Sequence, residues 1–277
     1  MLGKRRKDSL PHASSPGNFR SMLATDIDSA TASAAAAGGA EKRAYVKQIF
    51  SEIAPRYDLL NHLLSLNIDR RWRRKAIAAL GVERDKAGNY LDLCAGTLDV
   101  AQQVTMMPGF IGAVIGADFA EPMLRAGVGK VNGGKVVPVA ADALQLPLPT
   151  GKLAGAIVAF GIRNVAGLDA ALREAYRVLA PGARFVILEF STPRMPILRV
   201  AYKFYFERIL PLIGGVISGH ASAYRYLPRS VANFPVEEEL AARMQRAGFT
   251  KVRWVNLSFG IAAIHVGERA ADALGIK

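Results

Sequence analysis

The chain has 277 residues, 51% hydrophobic and 21% charged, enough apolar material for one large core with some decoration. Its single cysteine, Cys94, excludes an internal disulfide and a cysteine-rich zinc site. Its four histidines (His12, His62, His220, His265) are scattered without ligand spacing, so no metal is expected. The formal net charge of +13 suits nucleic acid, an anionic membrane surface or an acidic substrate, and says nothing about fold.

Residues 1–40 are rich in Ser, Ala, Gly and Pro without periodicity, and read as a disordered arm. The basic GKRRK within them has no apolar stretch behind it, so no secretory signal is expected. No apolar run reaches the roughly 18–20 residues of a spanning helix. The longest, ILPLIGGVISG, is short and holds Pro and Gly, which points to a soluble or peripherally bound protein.

Order begins near Tyr45. YVKQIFSEIA has helical spacing and stops at Pro55. YDLLNHLLSLNIDRRWRRKAIAAL is a second helical region, apolar on one face, basic near its centre and ended by Gly81. Residues 41–88 thus form a helical cap. From residue 90 short apolar strands alternate with helices: YLDLCA, AVIGADF, KVVPVAADA, GAIVAFGIRNV and ARFVILEF read as strands, LDVAQQVTMM, EPMLRAGVGK and LDAALREAYRVL as helices. That rhythm predicts an α/β fold, a mostly parallel doubly wound sheet of Rossmann-like type. Residues 191–235 interrupt it with a long aromatic and basic stretch, read as an inserted helical lid. ELAARMQRAGF is then a helix, and VRWVNL with GIAAIHVGER a closing hairpin. Residues 41–277 are expected to form a single domain.

In such sheets ligands sit beyond the carboxyl ends of the strands, where the strand order reverses. The loop in LDLCAGTLDVA, residues 91–101, lies at such an end. Gly96 permits a tight turn and a close backbone approach. A dinucleotide would need G-x-G-x-x-G, but Leu98 stands where a second glycine is wanted, and no Lys-Ser or Lys-Thr follows for a P-loop. S-adenosylmethionine (SAM) carries no phosphate, so it needs fewer glycines and instead acceptors for its ribose hydroxyls and adenine amine. Asp118, 26 residues after Asp92, can accept from the ribose. Asp142 can accept from the adenine amine, with the Ala143 backbone beside it. Three carboxylates, Asp92, Asp118 and Asp142, thus fall at three successive strand ends, although Asp is also common there as a helix N-cap.

IAPRYDLLNHLLSLNIDRRWRR, LDLCAGTLDVA, GADFAEPML, FGIRNV, LREAYRVLAPGARFVILEFS, YRYL and RAGF recur in order over about residues 45–269. This set resembles the ubiquinone/menaquinone-biosynthesis C-methyltransferases. The resemblance implies a class I SAM-dependent methyltransferase fold. It also implies methyl transfer from SAM to a ring carbon of a polyprenylated quinol precursor. Carried over by motif, the cofactor residues are Gly96, Thr97, Asp118, Asp142, Ala143 and Ala159. The family usually reads Gly-Thr-Gly-Asp in the loop where this chain has Leu98. It often has Asn at the position of Asp142 and Ser at that of Ala159. The Leu-containing loop resembles versions from menaquinone-using bacteria, which favours demethylmenaquinol over a 2-polyprenyl-6-methoxy-1,4-benzoquinol as substrate.

Methylating an aromatic carbon is an in-line displacement that depends on positioning and on an ionised neighbouring phenol. GIRNV follows the fourth strand, which puts Arg163 over the methyl end to stabilise phenolate and Asn164 within reach of a ring oxygen. The alternative is that Arg163 pairs with a carboxylate and holds a loop. A guanidinium is a poor base, so the proton is expected to leave through water or a carboxylate. Tyr57, in the RYD turn of the cap, is a candidate contact to the quinol. The lid carries Phe204, Tyr205, Phe206, Tyr224, Tyr226 and Phe234 among Arg199, Lys203, Arg208, Arg225 and Arg229. Such a surface suits an apolar substrate at a bilayer, so a cytoplasmic protein, peripheral on the inner face of the membrane, is expected. A homodimer or a quinone-biosynthesis complex stays open. No nucleic-acid partner is expected, because an RNA methyltransferase would need an Asn/Asp-Pro-Pro-Tyr-like loop and an RNA-binding module. A SAM- or quinone-binding protein without catalysis is the other alternative.

Overall fold

The structure, a computed structural model, describes residues 39–54, 65, 67–131, 134–209 and 221–271. Two helices precede the sheet: α1, Gly39–Ile53, and α2, Ile68–Leu80. Helix α1 begins at Gly39, ahead of the Tyr45 start that apolar periodicity alone gives, because its first turn (Glu41–Arg43) is polar. Gly81 closes α2 in the left-handed conformation, φ 76°. The RYD turn, with Tyr57, lies outside the described residues.

The strands are β1 (Tyr90–Leu93), β2 (Val114–Asp118), β3 (Val136–Ala140), β4 (Leu153–Ala159), β5 (Leu179–Phe190), β6 (Phe249–Leu257) and β7 (Ala262–Arg269). Between them lie α3 (Asp99–Thr105), α4 (Glu121–Val128) and α5 (Leu168–Val178). After β5 come α6 (Pro196–Phe204), a π-helical turn (Tyr205–Ile209), α7 (Ala221–Ala232) and α8 (Glu237–Arg246). Sheet order is β3-β2-β1-β4-β5-β7-β6, parallel except at β7, which runs antiparallel to both β5 and β6. The order therefore reverses between β1 and β4. One departure from the sequence reading concerns GAIVAFGIRNV. Its strand ends at Ala159, and Ile162–Asn164 form a 3₁₀ turn that lifts Arg163 and Asn164 out of the sheet.

Alternation along the strands makes two core layers. Val114, Ile157, Val186 and Ile264 face Trp72, Ile77 and Leu80 of α2 and Val100 and Val104 of α3. Leu91, Val158, Phe185 and Ile187 face Leu172 and Val178 of α5 and Leu240 and Met244 of α8. A third cluster stands at the carboxyl edge: Tyr45, Val46 and Ile49 of α1 pack with Tyr202 of α6 and with Tyr226 and Val231 of α7. The α1 segment and the segment after β5 thus share one aromatic seam.

The turn after β1 is set by a glycine on α4. A Cβ at Gly127 would lie 2.5 Å from the Thr97 carbonyl oxygen and 2.6 Å from its carbon, backbone atoms that no rotamer can move. Alanine gains about 1 kcal/mol of helix preference over glycine, but such overpacking costs about 1–3 kcal/mol. We expect Gly127→Ala to lower the thermal unfolding midpoint by several degrees, at about 2–4 °C per kcal/mol for a domain of this size. A raised midpoint by calorimetry would show that the loop yields.

Candidate active site

A pocket open to solvent lies at the carboxyl ends of β1 to β4, where the strand order reverses. Each strand end supplies part of its wall: Cys94 and Gly96 after β1, Asp118 and Phe119 at the end of β2, Asp142 and Ala143 after β3, and Ala159, Phe160 and Asn164 at and beyond the end of β4. Helix α1 closes one side with Arg43 and Phe50, and Met123 of α4 completes an apolar floor.

Asp118 fixes the glycine loop. Its Oδ2 accepts the Gly96 N–H at 2.8 Å and its Oδ1 the Ala120 N–H at 2.8 Å. Burial pushes its carboxyl up, and these backbone donors offset only part of that rise. Each oxygen retains a second lone pair for a ligand hydroxyl. Asp142 accepts the Leu144 N–H at 3.0 Å through Oδ1, while Oδ2 meets Arg43 Nη2 at 2.9 Å. Nothing in local spacing links positions 43 and 142, so the sequence reading has no place for Arg43. Gly96, Ala143 and Ala159 line the pocket as that reading has it, and Gly96 takes φ 53°.

Three residues, Asp92, Thr97 and Arg163, sit elsewhere than the sequence pattern puts them, whereas Leu98 packs into the core and away from the pocket. Asp92 is buried within β1, outside the pocket lining, and accepts the Ala101 N–H of α3 at 3.0 Å. Burial pushes its carboxyl up to about 8, so at neutral pH it is largely a neutral tether for that helix. Thr97 is 3% exposed and its side chain lies off the pocket wall. Leu98 is fully buried, with its Cδ2 2.4 Å from where a Cβ on Gly116 would stand. It occupies the core layer under β2, not the pocket, but at φ 65°, a conformation that glycine adopts without strain. Two glycines, Gly116 and Gly127, leave the room that it fills.

Arg163 is the third. Its guanidinium is buried: Nη1 donates to Glu189 Oε1 at 2.7 Å and to the Phe160 carbonyl, and Nε donates to Ser230 Oγ at 3.3 Å. It lies over the Phe190 ring, 5.4 Å from the centroid. The alternative in which this arginine pairs with a carboxylate and holds a loop is the one that the geometry matches. The pair is 7% and 2% exposed, and leaving either charge alone costs about 3–5 kcal/mol. Glu189, invisible to motif reading inside an apolar strand, anchors it, and burial pushes that carboxyl up. The Arg163 backbone carbonyl accepts from Lys42 Nζ at 2.8 Å, so α1 reaches the same turn.

Asn164, beside it, does line the pocket. It is 7% exposed, and its Oδ1 is a buried acceptor with no donor among the described residues. Cys94, at φ 54°, presses its Cβ against Gly161, and burial pushes its thiol up, so it serves as a neutral wall and not as a nucleophile. Among the described residues no cluster of metal-ligating side chains occurs.

The fold is that of the SAM-dependent methyltransferases. It superposes on one from Aquifex aeolicus with a TM-score of 0.52 at 18% identity, over 72% of this chain and 89% of that one. It also superposes on the [4+2]-cyclase SpnF with a TM-score of 0.59 at 15% identity, over 82% and 95%, so fold alone leaves the reaction open. The profile of the ubiE/COQ5 methyltransferase family matches residues 39–269, and this chain belongs to that family. It is 51% identical to a demethylmenaquinone methyltransferase from Thermus thermophilus, over 80% of this chain and the whole of that protein. It is 43% identical to a ubiquinone/menaquinone biosynthesis C-methyltransferase, UbiE, from Geobacter sulfurreducens, over 83% of this chain and 90% of that one.

Two substitutions check this geometry. Leu98→Gly relieves about 1–2 kcal/mol of left-handed strain but opens a cavity costing about 2–5 kcal/mol. We expect a less stable protein with unchanged SAM affinity by titration calorimetry; tighter SAM binding would put the leucine at the ligand. The second concerns pH. With Asp92 ionising near 8 when folded and near 4 when unfolded, the native state holds the extra proton between those values. Stability from this group therefore falls as pH rises across that window. Asp92→Asn, whose amide oxygen can still accept from Ala101, should flatten that slope in thermal melts and raise the midpoint at pH 8; an unaltered slope would show that the carboxyl is ionised throughout.

Proposed function

We propose that this enzyme transfers a methyl group from SAM to a ring carbon of a polyprenylated quinol precursor, with demethylmenaquinol as the favoured acceptor. Full-length similarity to the Thermus thermophilus protein at 51% identity supports that acceptor. Relatives carrying both biosynthetic names support the second reading, a 2-polyprenyl-6-methoxy-1,4-benzoquinol. The observation that carries the reading is the chemistry of the pocket: two carboxylates at successive strand ends on one side, and the unmatched acceptor of Asn164 on the other.

The residues present fit SAM. Asp118 has lone pairs for the ribose hydroxyls. Asp142 could take the adenine amine, with Ala143 beside it, while Gly96 and Ala159 allow close approach. When bound, SAM supplies a methyl group activated by a sulfonium; the chain supplies position and dryness. Phe50, Phe119, Met123 and Phe160 exclude water from the reacting end. The Asn164 Oδ1 accepts from a quinol hydroxyl and so orients the ring, an arrangement that a bare hydrocarbon could not satisfy. Arg163 contributes by holding the turn that carries Asn164, not by touching the ring. Tyr57 is proposed to meet the quinol from the cap. Transfer breaks the carbon–sulfur bond, forms a carbon–carbon bond, and releases the displaced ring proton to solvent. The same reading puts the enzyme in the cytoplasm, peripheral on the membrane that holds its substrate.

Purified protein with methyl-labelled SAM should label a short-chain demethylmenaquinol, and mass spectrometry should find the methyl on a ring carbon. A methyl on oxygen, or no transfer to either quinol, would overturn the assignment. Asn164→Ala should lower kcat/KM about tenfold or more, the worth of a hydrogen bond of about 1–3 kcal/mol to a buried group, with SAM affinity unchanged. Parallel loss of SAM binding would move Asn164 to the cofactor side.

A further inference from the structure

The carboxyl edge of the sheet carries a second feature that the pocket does not use. Helix α6 buries Tyr202 against the core but turns Ile197, Val200 and Phe204 outward, 86%, 71% and 61% exposed. These positions stand three and four apart, so they form one face. Met195, just before the helix, is 57% exposed. A separate element adds to them. Strand β6 is parallel to β5, so its turn into β7 falls at the same edge, and Phe259 at that turn is 80% exposed.

The two elements are adjacent. A Cβ on Gly260 would lie 3.5 Å from Cα of Pro193, in the segment leading into α6. Arg199 of α6 donates to the Pro193 carbonyl at 3.0 Å, which straps the helix to that segment. On the other side of the turn, Trp72 of α2 donates to Ser258 Oγ at 3.0 Å. Helix α2 shows exposed Arg70, Arg71 and Arg74, and α6 with its following turn shows Lys203 and Arg208. Isolated exposed apolar residues are ordinary, whereas five large ones on neighbouring elements, flanked by cations, mark an interaction face.

We propose that this face, with α6 and Phe259 at its centre, seats the protein on an anionic lipid bilayer beside the pocket mouth. The choice of a bilayer over a protein partner rests on charge: the flanking side chains are cations in a chain of net charge +13, and an anionic lipid surface complements them without shaped pockets. As the route for a prenylated substrate, the face rests on the quinol reading above; as a lipid-binding surface it stands on exposure and charge alone. Helix α6 then lies in the interface with its apolar side toward the acyl chains, while its buried side keeps Tyr202 in the aromatic seam with α1 and α7.

The test uses the full chain and vesicles of phosphatidylcholine with about one-fifth phosphatidylglycerol, in co-sedimentation at low and high salt. The wild type should sediment with the vesicles at low salt and release as salt rises. The double variant Ile197→Ser, Phe259→Ser changes side chains outside the core, so its melting midpoint and SAM affinity should match the wild type. Its vesicle partition should fall at least tenfold, since burying one large apolar side chain alone changes a partition by about that factor. Turnover of a water-soluble short-chain quinol should be unchanged, while turnover of a long-chain quinol carried in the vesicles should fall with partition. Absence of wild-type binding at low salt, or equal binding by the variant, would overturn the proposal. So would a variant whose sedimentation-equilibrium mass changes instead, which would assign the face to a second copy of the chain. Failure of short-chain turnover in the wild type would count against the quinol reading only, because vesicle binding is read without it.

Discussion

The site depends on one close approach, that of the loop after β1 to the elements beside it. The loop runs Cys94–Ala95–Gly96–Thr97–Leu98, and three of its residues, Cys94, Gly96 and Leu98, have positive φ. Such a backbone persists only where its surroundings over-determine it. Here Asp118 holds Gly96 N–H from β2, Gly127 admits the Thr97 carbonyl against α4, and Gly161, just after β4, admits Cys94. Each contact comes from a different part of the sheet and its flanking elements. The pocket floor is therefore a property of the packed sheet and not of the loop's own sequence.

A second fixed point lies across the pocket. The 3₁₀ turn after β4 is held by Arg163, whose partners come from β5 (Glu189), α7 (Ser230) and the residue just after β4 (Phe160), while Lys42 of α1 caps its carbonyl. A buried ion pair is not in itself a gain over apolar packing of the same shape. Its effect here is to fix one position for the turn between β4 and α5, tying it to β5 and to α7. Asn164 receives its placement from that anchor and leaves its own side chain uncommitted toward the pocket.

Much of this arrangement is legible in the sequence. Val- and Ile-rich strands alternating with helices gave the parallel sheet, and the closing hairpin placed β6 and β7, because both signals depend on periodicity that core burial enforces. The pocket residues that periodicity and loop chemistry reach, Gly96, Asp118, Asp142, Ala143 and Asn164, all line it, as does Ala159, which only the family resemblance pointed to. What failed were side-chain directions. Thr97 and Arg163 carry polar groups at strand ends and so look available, yet Thr97 is buried off the pocket wall and tertiary partners turn Arg163 inward. Asp92 looked like a third ligand carboxylate until its place within β1 made it a helix tether. Arg43 and Glu189 were silent for a different reason: their partners, Asp142 and Arg163, stand 99 and 26 positions away, and no local pattern encodes such contacts.

The separate roles of Arg43, Phe50 and Tyr45 tie access to order in α1. The first two line the pocket, the third packs edge-on to Tyr226 at 5.8 Å between ring centroids, and all belong to a helix that adds no strand to the sheet. Helix α1 cannot leave the pocket without parting the aromatic seam from α6 and α7 and releasing Asp142 and the Arg163 carbonyl. Ordering a ligand against Asp142 and Phe50 therefore orders the same helix that packs against α6. Because that coupling passes through packed rings and a half-exposed ion pair, it is carried mainly by apolar contact: the Arg43–Asp142 pair, 58% and 24% exposed, is worth at most about 1 kcal/mol, whereas each buried aromatic contributes about 1.5–3 kcal/mol.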